Sequence, residues 1–102
     1  MVKDIMTHDF ESEVILYDKK VIVDFYADWC NPCKMMAPVL EQLSEEYPEV
    51  RFVKINVDEN RQSALDYDIQ SIPTLIVFDG GEEVSRCVGV KTKDMLVDAL
   101  EL

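Results

Sequence analysis

Val21-Ile22-Val23-Asp24-Phe25-Tyr26-Ala27-Asp28-Trp29-Cys30-Asn31-Pro32-Cys33-Lys34 is the stretch that decides the fold. Its first six residues are rich in β-branched and aromatic side chains and apolar on both faces apart from Asp24. That pattern predicts a central strand covered on two sides. Residues Pro32 to Tyr47 then read as the main helix, with Met36, Leu40, Leu43 and Tyr47 on one stripe and Glu41, Glu45 and Glu46 facing away. Pro38 lies inside it, and the missing N–H predicts a kink. Arg51 to Val57 alternates, Phe52, Lys54 and Asn56 against Val53, Ile55 and Val57, as a second strand does. Strand, helix and strand in so short a span make a right-handed crossover with parallel strands.

Working outward, Val2 to Met6 reads as a short first strand. Thr7 is placed to cap a helical segment in which Phe10, Val14 and Tyr17 share a face. Asn60 to Tyr67 reads as a short helix. Thr74 to Phe78, then Asp79-Gly80-Gly81, then Glu82 to Val88 is the signal of an antiparallel hairpin. Thr92 caps a last helix with Met95, Leu96, Ala99 and Leu100 on one side. The expected architecture is α/β: a central mixed sheet of four to five strands flanked by about four helices. With 102 residues, no repeat and no linker-like stretch, residues 1–102 are expected to form a single domain.

Composition narrows the function. Ten Lys and Arg against 21 Asp and Glu give a formal charge of −11 and a pI near 4.3. The only adjacent basic pair is Lys19-Lys20, so neither nucleic acid nor an anionic membrane is an expected partner. No apolar run approaches the roughly 20 residues of a membrane span, and the first nine residues are too acidic for a secretory signal. A cytoplasmic monomer is the expectation. Three cysteines without an export signal argue against a disulfide-stapled secreted module.

Cys30 and Cys33 carry the chemistry. The same spacing occurs in zinc ribbons, but a structural zinc needs four ligands, and only Cys87 and His8 remain, neither at metal-ligand spacing; no metal is expected. The pair falls just past the C-terminal end of the central strand and at the start of the main helix, the edge where reaction sites gather in open α/β sheets. A thiol there faces unsatisfied N–H groups and the positive end of the helix dipole, which favour thiolate, the attacking species in disulfide exchange. Pro32 suits a first helical turn, having a preset φ and no N–H to satisfy. The spacing lets the second sulfur attack the first once a mixed disulfide has formed.

At these residues the sequence resembles the thioredoxin family, along nearly the whole chain. Val23 to Pro38 is similar to the family's active-site block, Lys54-Ile55-Asn56-Val57-Asp58 to its following strand, Ser71-Ile72-Pro73-Thr74-Leu75 to its second signature, and Val88-Gly89 to its late glycine. The resemblance implies a thioredoxin fold and a thiol–disulfide oxidoreductase acting on disulfide-containing protein substrates. Cys30 is then the nucleophile, Cys33 the resolving thiol and Cys30–Cys33 the redox disulfide. It further implies that no cofactor is bound and that electrons come from NADPH or ferredoxin through a thioredoxin reductase. Trp29, Asn31 and Pro32 are the supporting residues; Trp29, Ile72, cis Pro73 and Gly89 are the substrate-binding ones.

Asp24, the lone carboxylate of an apolar strand, is expected to be buried, with its pKa raised into the range of a proton acceptor for Cys33. Lys54 has two readings: a surface residue by periodicity, or by resemblance a lysine close to Asp24. Gly89 likewise reads as a groove residue or a plain turn glycine, and Lys34 as a source of positive potential or a solvated side chain. Trp29 reads as the family's tryptophan or as an aromatic that merely packs. Cys87 reads as a lone small residue on an edge strand or a regulatory thiol, Met35 and Met36 as packing, and His8 as surface. Asn31, where the family commonly has glycine, changes the loop's flexibility, and Tyr26 stands where tryptophan is usual. A specialised oxidase or isomerase, and a redox-inert binding module, are the competing readings.

Overall fold

A computed structural model describes residues 1–102. Five strands form one mixed sheet: β1 (Lys3–Asp4), β2 (Val21–Tyr26), β3 (Arg51–Asn56), β4 (Thr74–Asp79) and β5 (Glu82–Val88). Their order is β1-β3-β2-β4-β5. β3 runs parallel to both β1 and β2, while β4 is antiparallel to β2 and β5 to β4. The helices are α1 (Asn31–Glu46), α2 (Arg61–Asp66) and α3 (Lys93–Ala99), preceded by a helical segment made of a 3-10 turn over Thr7–Asp9 and a π-helical turn over Glu11–Ile15. No helix is long and apolar enough to cross a membrane.

Side chains alternate across a strand, so β2 serves both faces of the sheet. Val21, Val23 and Phe25 join Ile5, Phe10, Val14, Val53, Ile55, Ile76 and Phe78 in one buried cluster, with Tyr67 and Ile69 against it. Ile22 points the other way, into a cluster with Met36, Leu40 and Leu43 of α1, Phe52, Leu75, Val77 and Leu96 of α3. Two apolar layers on one strand explain why its sequence hardly alternates. Asp24 shares the parity of Ile22 and so faces the α1 side.

Local sequence sets the turns. Gly80 and Gly81 both have positive φ, 61° and 84°, the two-residue turn that matches the twist of paired strands. Gly81 is further constrained, because a Cβ there would lie 2.6 Å from the carbonyl oxygen of Ile15. Thr92 Oγ1 accepts from the Met95 N–H at 3.2 Å, capping α3 as expected.

Two expectations need correction. Thr7 does not cap the first helical segment: its N–H and hydroxyl donate to Asn60 Oδ1 at 2.7 and 3.1 Å, and Asp9 accepts from the Met6 N–H instead. A partner 53 residues away has outcompeted the local cap. Met95 is 53% exposed while Leu96 and Leu100 are buried, so the stripe of α3 is narrower than its apolar content. α1 runs through Pro38 to Glu46, the length expected; the backbone donor lost there is the proline's own, leaving the Lys34 carbonyl without its helical partner.

Candidate active site

The end of β2 delivers the chain into Ala27-Asp28-Trp29, and Cys30 becomes the N-cap of α1. Its Sγ accepts from the Cys33 N–H at 3.2 Å, satisfying one of the donors that every helix start leaves open. Cys30 and Cys33 are joined as a disulfide, their Cα atoms 5.2 Å apart. Both are nearly covered, 3% and 5% exposed, while Asn31 and Pro32 between them are exposed. That N–H and the positive end of the dipole of a 16-residue helix both face the Cys30 sulfur, an arrangement that favours an anion at such a position.

Ile72, Pro73 and Gly89 arrive from the other side of the sheet. The Ile72–Pro73 bond is cis, and the Ile72 carbonyl oxygen lies 3.9 Å from Cys30 Sγ. The Gly89 N–H donates to the Pro73 carbonyl at 2.8 Å. Gly89 has φ +90° with nothing within 4 Å of where a Cβ would stand. Backbone conformation, not crowding within the chain, is what favours glycine there.

Asp24 is 5% exposed and its Oδ1 has no hydrogen-bond partner. Burial raises its pKa from 3.8 to about 7, and the positive charge of Lys54 offsets part of that rise. Lys54 pairs with Asp24 in strand register and is half-buried, its Nζ 5.3 Å from the Tyr26 ring centroid. Periodicity alone could not tell a surface lysine from this one, because register is set by tertiary pairing. Asp24, Lys54, Cys33 and Lys34 line one small cavity of about 160 Å³, wide enough for water between polar groups.

Trp29 is 67% exposed, and its Nε1–H donates to Asp58 Oδ2 at 2.8 Å. The support continues behind it. Asn56 Oδ1 accepts from the Asp58 N–H at 2.9 Å, and Asn60 Nδ2 donates to the Asn56 carbonyl at 2.9 Å. Sequence reasoning assigned no part to Asp58, Asn56 or Asn60. The run Asn56-Val57-Asp58-Glu59-Asn60 directly after a strand was the available signal, since such residues hold turns through side-chain bonds.

The remaining candidates stand apart. Cys87 is buried on edge strand β5, and burial pushes its thiol pKa up, the opposite of an activated sulfur. His8 is a surface side chain 3.5 Å from Asp9. Met36 packs in the core while Met35 is 65% exposed. No group of three His, Cys, Asp or Glu side chains is placed to hold a metal.

Two sulfurs that close on each other at the head of a helix, with a titratable carboxyl beneath one of them, make this a thiol–disulfide oxidoreductase. A family model described as Thioredoxin matches residues 1–102. Thioredoxin from Chlamydia pneumoniae is 47% identical over 100 residues, covering 98% of this chain and 96% of the relative. Thioredoxin 1 from a Nostoc species is 46% identical over 93 residues (90% and 87% covered), and thioredoxin from Streptomyces clavuligerus 42% over 97 (95% and 91%). The chain belongs to the thioredoxin family.

Proposed function

We propose that residues 1–102 act as a single domain that reduces disulfide bonds in protein substrates, with Cys30 as nucleophile, Cys33 as resolving thiol and Asp24 as proton acceptor. The Cys30 thiolate attacks one substrate sulfur; the other leaves as thiolate and takes a proton from solvent. The Cys33 thiol then passes its proton to the Asp24 carboxylate and attacks Cys30 Sγ. The Cys30–Cys33 bond forms, the second substrate sulfur departs, and the proton on Asp24 returns to it or to solvent. Two electrons move from the dithiol to the substrate. The observation that carries this reading is the shared cavity of Asp24 and Cys33, with one carboxylate oxygen unpartnered.

Trp29, Asn31 and Pro32 support the reacting pair. Lys54 tunes Asp24, and Trp29, Ile72, Pro73 and Gly89 bind substrate, with the Ile72 backbone pairing an extended segment strand to strand. No cofactor is bound; a thioredoxin reductase restores the dithiol with electrons from NADPH or ferredoxin. The protein works as a cytoplasmic monomer, and its charge of −11 disfavours nucleic acid and anionic membranes as partners.

The test is a trap. Cys33→Ser, reduced and mixed with a disulfide-bonded protein, accumulates a covalent one-to-one adduct that a small dithiol releases. An adduct that fails to form, or that persists in Cys30→Ser, contradicts the assignment.

A further inference from the structure

The largest groove of the molecule, about 670 Å³, opens beside Trp29 and Ile72 and runs along α2. Its lining includes Arg61, Ala64 and Leu65 of α2, with Val57 and Ile69. Positions i, i+3 and i+4 share a helix face, so Arg61, Ala64 and Leu65 form one wall. Leu65 is 73% exposed and Trp29 67%; two large apolar side chains left in water around a groove of ligand-holding size mark a place where something docks.

Charge identifies the occupant. The chain carries about twice as many acidic as basic residues, 21 against 10; at this groove two carboxylates stand at the rim, Asp58 accepting from Trp29 Nε1–H at 2.8 Å and Asp68 from Gln70 Nε2 at 3.1 Å, while the one charged side chain in the lining itself is Arg61. Arg61 takes part in no ion pair; those of the chain use Lys3, His8, Arg51, Arg86 and Lys93. The groove is continuous with Ile72, whose carbonyl lies 3.9 Å from Cys30 Sγ. With Trp29 and Ile72 binding substrate as proposed above, the chain beside the attacked disulfide passes along this groove, and we infer that Arg61 selects stretches pairing an apolar side chain with an acidic one. The inference rests on Cys30 being the attacking sulfur. Leu65 and Trp29 cover the apolar residue, and the Arg61 guanidinium, free to fork onto a carboxylate, meets the acidic one.

The test uses short peptides with one cysteine in mixed disulfide with a small thiol, its neighbours being Leu-Asp, Leu-Lys or Gly-Asp. Single-turnover reduction by the pre-reduced protein is followed at low salt for the wild type and for Arg61→Glu, an exposed change that leaves the core untouched. The wild type reduces the Leu-Asp peptide about fivefold faster than the Leu-Lys one, as one exposed ion pair allows. Arg61→Glu inverts the order, and about 0.5 M salt flattens it. The Gly-Asp peptide is slower than the Leu-Asp one by a similar factor of about five. Equal rates for Leu-Asp and Leu-Lys, a preference for Leu-Lys, or a ratio unmoved in Arg61→Glu overturns the inference while leaving Cys30 in place. Failure of all three peptides to react overturns the Cys30 assignment itself.

Discussion

Replacing Asp24 with asparagine raises the unfolding free energy of the oxidised protein at pH 8 by about 4 kcal/mol, and by almost nothing at pH 4. Asp24 ionises near 3.8 in the unfolded chain and about 7 in the folded one, because burial disfavours its anion more than Lys54 restores it. Between those values the folded state holds a proton that the unfolded state has lost. Wild-type stability is therefore full below about pH 4, falls as pH rises toward 7, and is level above that. Asparagine keeps the shape without the charge, so the difference between the two proteins opens across the same window. Denaturant titrations at pH 4 and pH 8 measure it; a gap of equal size at both, or a loss of stability at pH 8, contradicts the picture. The same variant slows release of reduced substrate at neutral pH. Its single-turnover profile also lacks the rise near pH 7 that ionisation of Asp24 gives the wild type. In the proposed role, the stability lost to this buried charge is the trade expected at a working site.

Cys30→Ser lowers dithiol-driven reduction of a disulfide-bonded test protein by at least about a thousandfold, since a hydroxyl at this position has no anion to offer near neutral pH. Cys87→Ser in the same assay leaves the rate within a factor of about two, because a buried thiol with a raised pKa takes no part in exchange. The contrast separates the sulfur at the helix start from the one in the sheet. A Cys87→Ser variant as slow as Cys30→Ser would move the chemistry to β5.

Much of this was readable from residue patterns, and the exceptions share a cause. The bounds of β2, Val21–Tyr26, are legible to the residue because a β-branched and aromatic run apolar on both faces apart from Asp24 suits a doubly covered strand. The burial of Asp24 followed from the same run: a single carboxylate among Val, Ile and Phe has no wet side to turn to. The cap at Thr92 was legible because its partner, Met95, is three residues away. The same local logic fails at Thr7, whose hydroxyl bonds Asn60 and Ser63 across the fold. The anchoring of Trp29 by Asp58, and the register that sets Lys54 beside Asp24, are likewise products of chain reversal. They connect residues about 30 positions apart, and no periodicity encodes which strand will lie beside which. Arg61 shows the limit most plainly. In sequence it is one charge at the start of a short helix; in the structure it is the one cation lining an apolar groove.

The proposed chemistry requires the start of α1 to make an anion of Cys30. Thiolate absorbance of the reduced protein, followed against pH in the wild type, Cys30→Ser and Cys33→Ser, measures it directly. One sulfur is expected to ionise clearly below the ordinary thiol value of about 8.5, a transition lost in Cys30→Ser and retained in Cys33→Ser. A Cys30 that ionises at that ordinary value, no more readily than in an unstructured peptide, contradicts it.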